Sequence, residues 1–158
     1  MSLNNATPFI AGNWKMFKTV AEADELVKEF MAVSADLMEA EVVIIPPFTA
    51  LNKIRKTLCE NPIQLGAQNV HWEAEGAYTG EISSGMLKEA GCQYVVIGHS
   101  ERRQYFGETN QSVNKKIKAV LNHEMYPIMC IGETLEEREN GKTFNKLGNQ
   151  IDEGLEGL

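Results

Sequence analysis

Two short stretches of this sequence place chemically capable side chains directly after apolar runs. In "AGNWKM", Ala11 to Met16, an amide and an ammonium, Asn13 and Lys15, stand two residues apart. Strand alternation would send both to one side and Trp14 to the other. Lys15 then either snorkels its ammonium to the surface or supplies positive charge to an anionic substrate that Asn13 helps to hold. In "VVIGHSERR", Val95 to Arg103, an apolar run breaks into His99, Ser100, Glu101, Arg102 and Arg103 with no turn between them. With Ser100 as a helix cap, His99 would lie near a positive helix N-terminus, a field that disfavours imidazolium. The group left is a neutral imidazole able to donate a hydrogen bond to a substrate oxygen. A structural histidine at a strand end fits the same residues. Glu101 as a first-turn acid and the arginines as partners for carboxylates likewise have a structural account.

Two further stretches follow apolar runs. "GAQNVHWEAEGAYTGEIS", Gly66 to Ser83, is a long polar connection of the kind that caps a site or reaches a partner, and Trp72 and Tyr78 favour a packed loop over disorder. "CIGETLEEREN", Cys130 to Asn140, carries acids that read mostly as solvated helix surface. His71 and His123 have no companion at metal-ligand spacing, and no dinucleotide, phosphate-loop or serine-elbow fingerprint occurs. Chemistry with neither cofactor nor metal is favoured.

The elements that must position these groups alternate in type. Strand-like runs lie near Phe9 to Ala11, Val42 to Ile45, Ile63 to Ala67, Tyr94 to Ile97 and Pro127 to Ile131. Between them Leu26, Phe30, Val33 and Leu37, then Val113, Ile117 and Val120 or Leu121, recur at helical spacing, with Thr49, Ser100 or Thr109 as candidate caps. Phe144, Leu147, Ile151, Leu155 and Leu158 draw a last apolar stripe that runs to the final residue. The order βαβαβαβαβα, with apolar runs that do not alternate, suits parallel strands covered on both faces. Either a doubly wound open sheet or part of a (β/α)8 barrel follows. Strand centres near Ile10 and Met129 are 119 residues apart over four intervals. That is about 30 per unit, close to the roughly 31 of a chain of about 250 residues in eight units.

At 158 residues, 43% hydrophobic and 23% charged, the chain can bury a core and reads as a single domain over 1–158. Fifteen Lys and Arg against 22 Asp and Glu give a net charge of -7, which argues against nucleic acid and anionic membrane as partners but not against a small phosphorylated ligand. Cys59, Cys92 and Cys130 read as reduced thiols of a cytosolic protein. The start, "MSLNNATPF", lacks a signal-peptide pattern, and no apolar run approaches a membrane span.

"FIAGNWKM", "GAQNVHWEAEGAYTGEIS", "VVIGHSERRQYFGE" and "CIGETLEERENGKT" together closely resemble the triosephosphate isomerase family in order and spacing. The resemblance implies an α/β fold, an incomplete TIM (β/α)8 barrel of about five consecutive βα units with parallel strands. It also implies a cytoplasmic homodimer that interconverts dihydroxyacetone phosphate and glyceraldehyde 3-phosphate through an enediolate, without cofactor or metal. His99 matches the family's electrophile, Lys15 the lysine that stabilises the enediolate, and Glu101 the carboxylate that holds the network. Asn13, Trp14 and Lys15 match the substrate-binding stretch, and Tyr78, Thr79 and Gly80 the loop that enters the partner subunit. The family's base is a glutamate after the sixth strand, followed by a lid, with phosphate-binding amides after the sixth to eighth strands. No residue here matches these, and Glu133 and Glu136 do not fill the role. Little or no isomerase activity is therefore expected of these 158 residues alone, together with self-association through the open edges of the first and fifth strands. Two other readings stand beside this one: an idle truncated or engineered half-barrel serving as an assembly scaffold, and an unrelated open sheet that binds a small anion.

Overall fold

The computed structural model describes residues 7–33 and 40–158. Its strands and helices alternate as β1 (Phe9–Asn13), α1 (Val20–Val33), β2 (Glu41–Ile45), α2 (Leu51–Leu58), β3 (Gln64–Ala67), α3 (Ser84–Glu89) and β4 (Tyr94–Ile97). Then come α4 (Ser100–Tyr105), α5 (Asn110–Leu121), β5 (Tyr126–Met129), α6 (Leu135–Glu139) and α7 (Thr143–Gly154). The strands hydrogen-bond in the order β1-β2-β3-β4-β5. Parallel pairing of β1 with β2 runs from Phe9↔Glu41 to Asn13↔Ile45. A doubly wound sheet reverses its strand order at a switch point, whereas a βα barrel adds each strand beside the last. The unbroken order decides for five units of the barrel type.

The chain forms two compact units, one of the residues up to Gln68 with Leu87–Tyr94, the other of Asn69–Met86 with Val95–Leu158. In the first, Val42 to Ile45, Leu65 and Ala67 are buried, as are Ala23 and Val27 on α1 and Ile54 and Leu58 on α2. Each fully buried Val, Leu or Ile stabilises this core by roughly 1.5–3 kcal/mol. β1 departs from the expectation of strands covered on both faces, with Phe9 45% and Ile10 49% exposed. The helical repeat read along α1 is also shifted. Ala23, Asp24 and Val27 are its buried positions and Val33 is exposed, while Leu37 lies outside the described residues. Thr49 caps no helix; it sits inside a 3-10 turn, Phe48–Ala50, that leads directly into α2.

In the second unit Cys130 N–H donates to the Ile97 carbonyl at 2.8 Å, joining the end of β5 to β4. Val113, Ile117 and Val120 form the buried face of α5, which settles Val120 over the exposed Leu121. Thr109 caps α5 reciprocally with Ser112. The apolar stripe of α7 is a clear correction. The helix ends at Gly154, and Phe144, Ile151, Leu155 and Leu158 are all exposed. α7 instead packs through Gln150, whose amide bonds both backbone groups of Gly132 at 2.8 and 3.0 Å, and through Gly154, where a Cβ would lie 2.3 Å from Met129 Cε. Gly154 therefore trades helix propensity for close approach to β5.

Candidate active site

β1 stops at Asn13, and the next two residues leave the strand. Lys15 takes a left-handed backbone conformation, φ 52°, so alternation does not carry through to it and cannot be why it lies beside Asn13. Two amide side chains hold that strained residue. Asn13 Oδ1 accepts from Lys15 N–H at 2.9 Å, and Gln68 Nε2, just after β3, donates to the Lys15 carbonyl at 2.8 Å and the Ile45 carbonyl at 3.0 Å. Left-handed backbone at a non-glycine residue costs of order 1–3 kcal/mol and persists where surrounding bonds over-determine it. Here those bonds fix the base of an exposed lysine and leave the Asn13 amide NH2 as the group able to meet a ligand oxygen. Trp14, between them, is half-buried, its N–H donating to the Ile45 carbonyl at 3.1 Å.

β4 ends at Ile97, and α4 begins three residues on. The residue that caps α4 is His99 itself, not Ser100. Its Nδ1 accepts from Glu101 N–H at 3.3 Å, while its carbonyl accepts from Arg102 N–H at 2.9 Å and Arg103 N–H at 3.1 Å. A ring nitrogen that accepts a hydrogen bond carries no proton, so the imidazole proton sits on Nε2. A Glu101 carboxylate oxygen stands 3.6 Å from the same Nδ1. His99 opens on a cleft of about 990 Å³ within the second unit, also lined by Arg103, Cys130, Glu133, Lys146 and Gln150. Burial pushes the Cys130 thiol up and the Arg103 guanidinium down from their ordinary values.

Beneath His99 lies a buried charged cluster that sequence reading missed. Glu108 bonds Lys116, which also donates to Asn69 Oδ1 at 2.8 Å, and all three are buried. Arg103, expected to pair a carboxylate, donates instead to the Gly98 carbonyl at 2.8 Å and to Asn110 Oδ1 at 2.6 Å. Arg102 does approach a carboxylate, Glu108 at 3.8 Å, and lies over the Phe106 ring. The connection after β3 is packed. His71 stacks on Trp72 and meets Tyr78, and His71 N–H donates to the Ile82 carbonyl at 2.8 Å. Tyr78, Thr79 and Gly80 at its tip are exposed. Among the described residues no three His, Cys, Asp or Glu side chains are placed to hold a metal ion.

In the first unit Asn13 closes β1 and Lys15 stands two residues beyond it; in the second, His99 stands two residues beyond β4, and strand ends of this kind are where a βα-barrel protein places the donors that stabilise charge on a ligand oxygen. The sequence profile of the triosephosphate isomerase family matches residues 8–158, and the chain belongs to that family. It is 56% identical over 149 residues to triosephosphate isomerase of Dictyoglomus turgidum and 57% identical to that of Dictyoglomus thermophilum. Each comparison covers 94% of this chain and 60% of the relative. The crystal structure of the Bartonella henselae triosephosphate isomerase superposes with a TM-score of 0.91 at 40% identity, covering 97% of this chain and 64% of that one. The chain thus spans about three fifths of the length of the curated relatives it matches.

Proposed function

We propose that this chain supplies the electrophile and the charge-stabilising lysine of a triosephosphate isomerase that interconverts dihydroxyacetone phosphate and glyceraldehyde 3-phosphate. The observation that carries this reading is the hydrogen bond from Glu101 N–H to His99 Nδ1. It leaves a neutral ring whose Nε2–H can polarise a substrate carbonyl and then return the proton between the two enediolate oxygens. Lys15 offsets the charge of the enediolate and the phosphate, and the Asn13 amide and Trp14 complete the binding stretch. Glu101 holds the ring from its Nδ1 side through its backbone N–H. The general base is the glutamate that the family places after a sixth strand and is not one of these 158 residues. Such a base is worth about 10²- to 10⁴-fold in rate, so a polypeptide of the 158 residues alone is expected to turn over substrate very slowly.

The working assembly in this reading is a cytoplasmic homodimer in which Tyr78, Thr79 and Gly80 enter the partner. The exposure of that tip on a loop whose base is packed supports it. The test is a coupled isomerase assay on the chain mixed with a fragment carrying the sixth to eighth units of a relative. His99→Gln in the chain should reduce reconstituted kcat by about 10²- to 10³-fold, as for loss of one oxyanion donor. Undiminished kcat in that variant would remove His99 from the chemistry.

A further inference from the structure

The residue immediately before His99 is held in an unusual way. Gly98 N–H donates to Glu108 Oε2 at 2.9 Å, and Gly98 C=O accepts from Arg103 Nε at 2.8 Å. Two ionised side chains thus bond both backbone groups of one glycine. The glycine is required there: φ is 75°, and a Cβ would lie 2.9 Å from Arg103 Nη2, 3.1 Å from the Cys130 carbonyl and 3.1 Å from Val113 Cγ2. Glu108 is anchored in turn by buried Lys116, and Arg103 by Asn110, whose Nδ2 donates to Glu153 Oε2 on α7 at 3.3 Å. A continuous set of bonds therefore runs from α7 through α5 and Arg103 to the peptide that carries His99.

Burying a carboxylate and much of a guanidinium is costly, and apolar residues of similar volume could fill the same space without that cost. We propose that Glu108 and Arg103 are positioning residues for His99, fixing the peptide from which the imidazole projects and so the direction in which Nε2–H points. Its catalytic consequence rests on the isomerase reading, but the positioning does not. A reacting group displaced by about 1 Å can lose on the order of 10² in rate, which is the scale on which such a clamp matters.

The three histidines make this measurable without turnover, through nitrogen-15 correlation spectra of the imidazole rings in the 158-residue chain. His99 and His71 should both show an unprotonated Nδ1, since each accepts a backbone N–H there. His123 is the reference ring, its Nδ1 held between the Ser84 hydroxyl at 2.9 Å and the Ala119 carbonyl at 3.1 Å. In Arg103→Met and Glu108→Gln the His99 signals should move toward the average of two tautomers while His71 and His123 stay in place. Asn110→Ala, a milder change on α5 that unloads Arg103 and releases Glu153, should give a smaller shift in the same direction, and it decides the matter if the other two do not fold. Unmoved His99 signals in the folded variants, or all three histidines moving together, would overturn the proposal. In the reconstituted enzyme the same variants should lower kcat about 10- to 10²-fold with KM little changed. Shifted ring signals in a chain that never yields isomerase activity would leave the clamp standing and remove the isomerase reading.

Discussion

Lys15 and Asp24 show how single residues in the first unit are held by neighbours far away in sequence. Gln68 reaches back across 53 positions to the Lys15 carbonyl, so Gln68→Ala should free that strained backbone and weaken substrate binding in the reconstituted enzyme by about 10-fold, read as KM. An unchanged KM would mean that Asn13 alone suffices. Asp24 is a nearly buried acid on α1 whose oxygens meet Lys28 at 2.8 Å, Lys53 at 3.1 Å and the Thr57 hydroxyl. The bond to Lys28, then that to Thr57, holds its carboxyl well below the usual range. A carboxyl with a depressed folded value stabilises the fold above its unfolded value, about 3.9, and loses that contribution as pH falls toward the folded one. Asp24→Asn should therefore lower the urea midpoint at pH 7, with the gap to the parent narrowing steadily below about pH 4. A gap independent of pH would assign the effect to packing instead.

At the scale of elements, helix starts and strand ends carry the site. Thr109 and Ser112 satisfy each other's backbone N–H at the start of α5, so Thr109→Ala should cost about 1 kcal/mol in equilibrium unfolding. Gly98→Ala adds left-handed strain to contact with the Cys130 carbonyl and should cost about 1–3 kcal/mol, seen as a lowered midpoint at an unchanged m-value. A neutral Gly98→Ala would show that this junction can relax. Much of the element order was legible because buried parallel strands read as unbroken apolar runs and α5 as a clean helical repeat. α7 was not, because its packing rests on a glutamine that bonds a glycine's backbone and on a glycine pressed against a methionine, neither of which leaves an apolar signature. Lys15 and His99 stood out in the sequence by following apolar runs. Gln68, Glu108 and Lys116 act from other elements, so no spacing joined them to the residues they hold, although polar residues straight after "LGA" were a usable hint for Gln68.

For the molecule as a whole, exposed apolar side chains matter as much as the site. Phe9 and Ile10 on β1, Phe144 and Ile151 on α7, and Leu155 just past the end of α7 leave apolar surface in contact with water in both units. Such surface, with β1 pairing only β2 among the described residues, favours association. Sedimentation velocity of the 158-residue chain should show a weight-average mass that rises with concentration; a concentration-independent monomer would count against this. In the proposed function the chain contributes a working electrophile and lysine to a triosephosphate isomerase. That contribution is tested most directly by assaying the chain alone, the chain with a fragment bearing the sixth to eighth units, and the same mixture with His99→Gln. The expected result is very low turnover alone, clear turnover on mixing, and loss of about 10²- to 10³-fold with the substitution. Turnover by the chain alone equal to the mixture, or a mixture indifferent to His99→Gln, would contradict it.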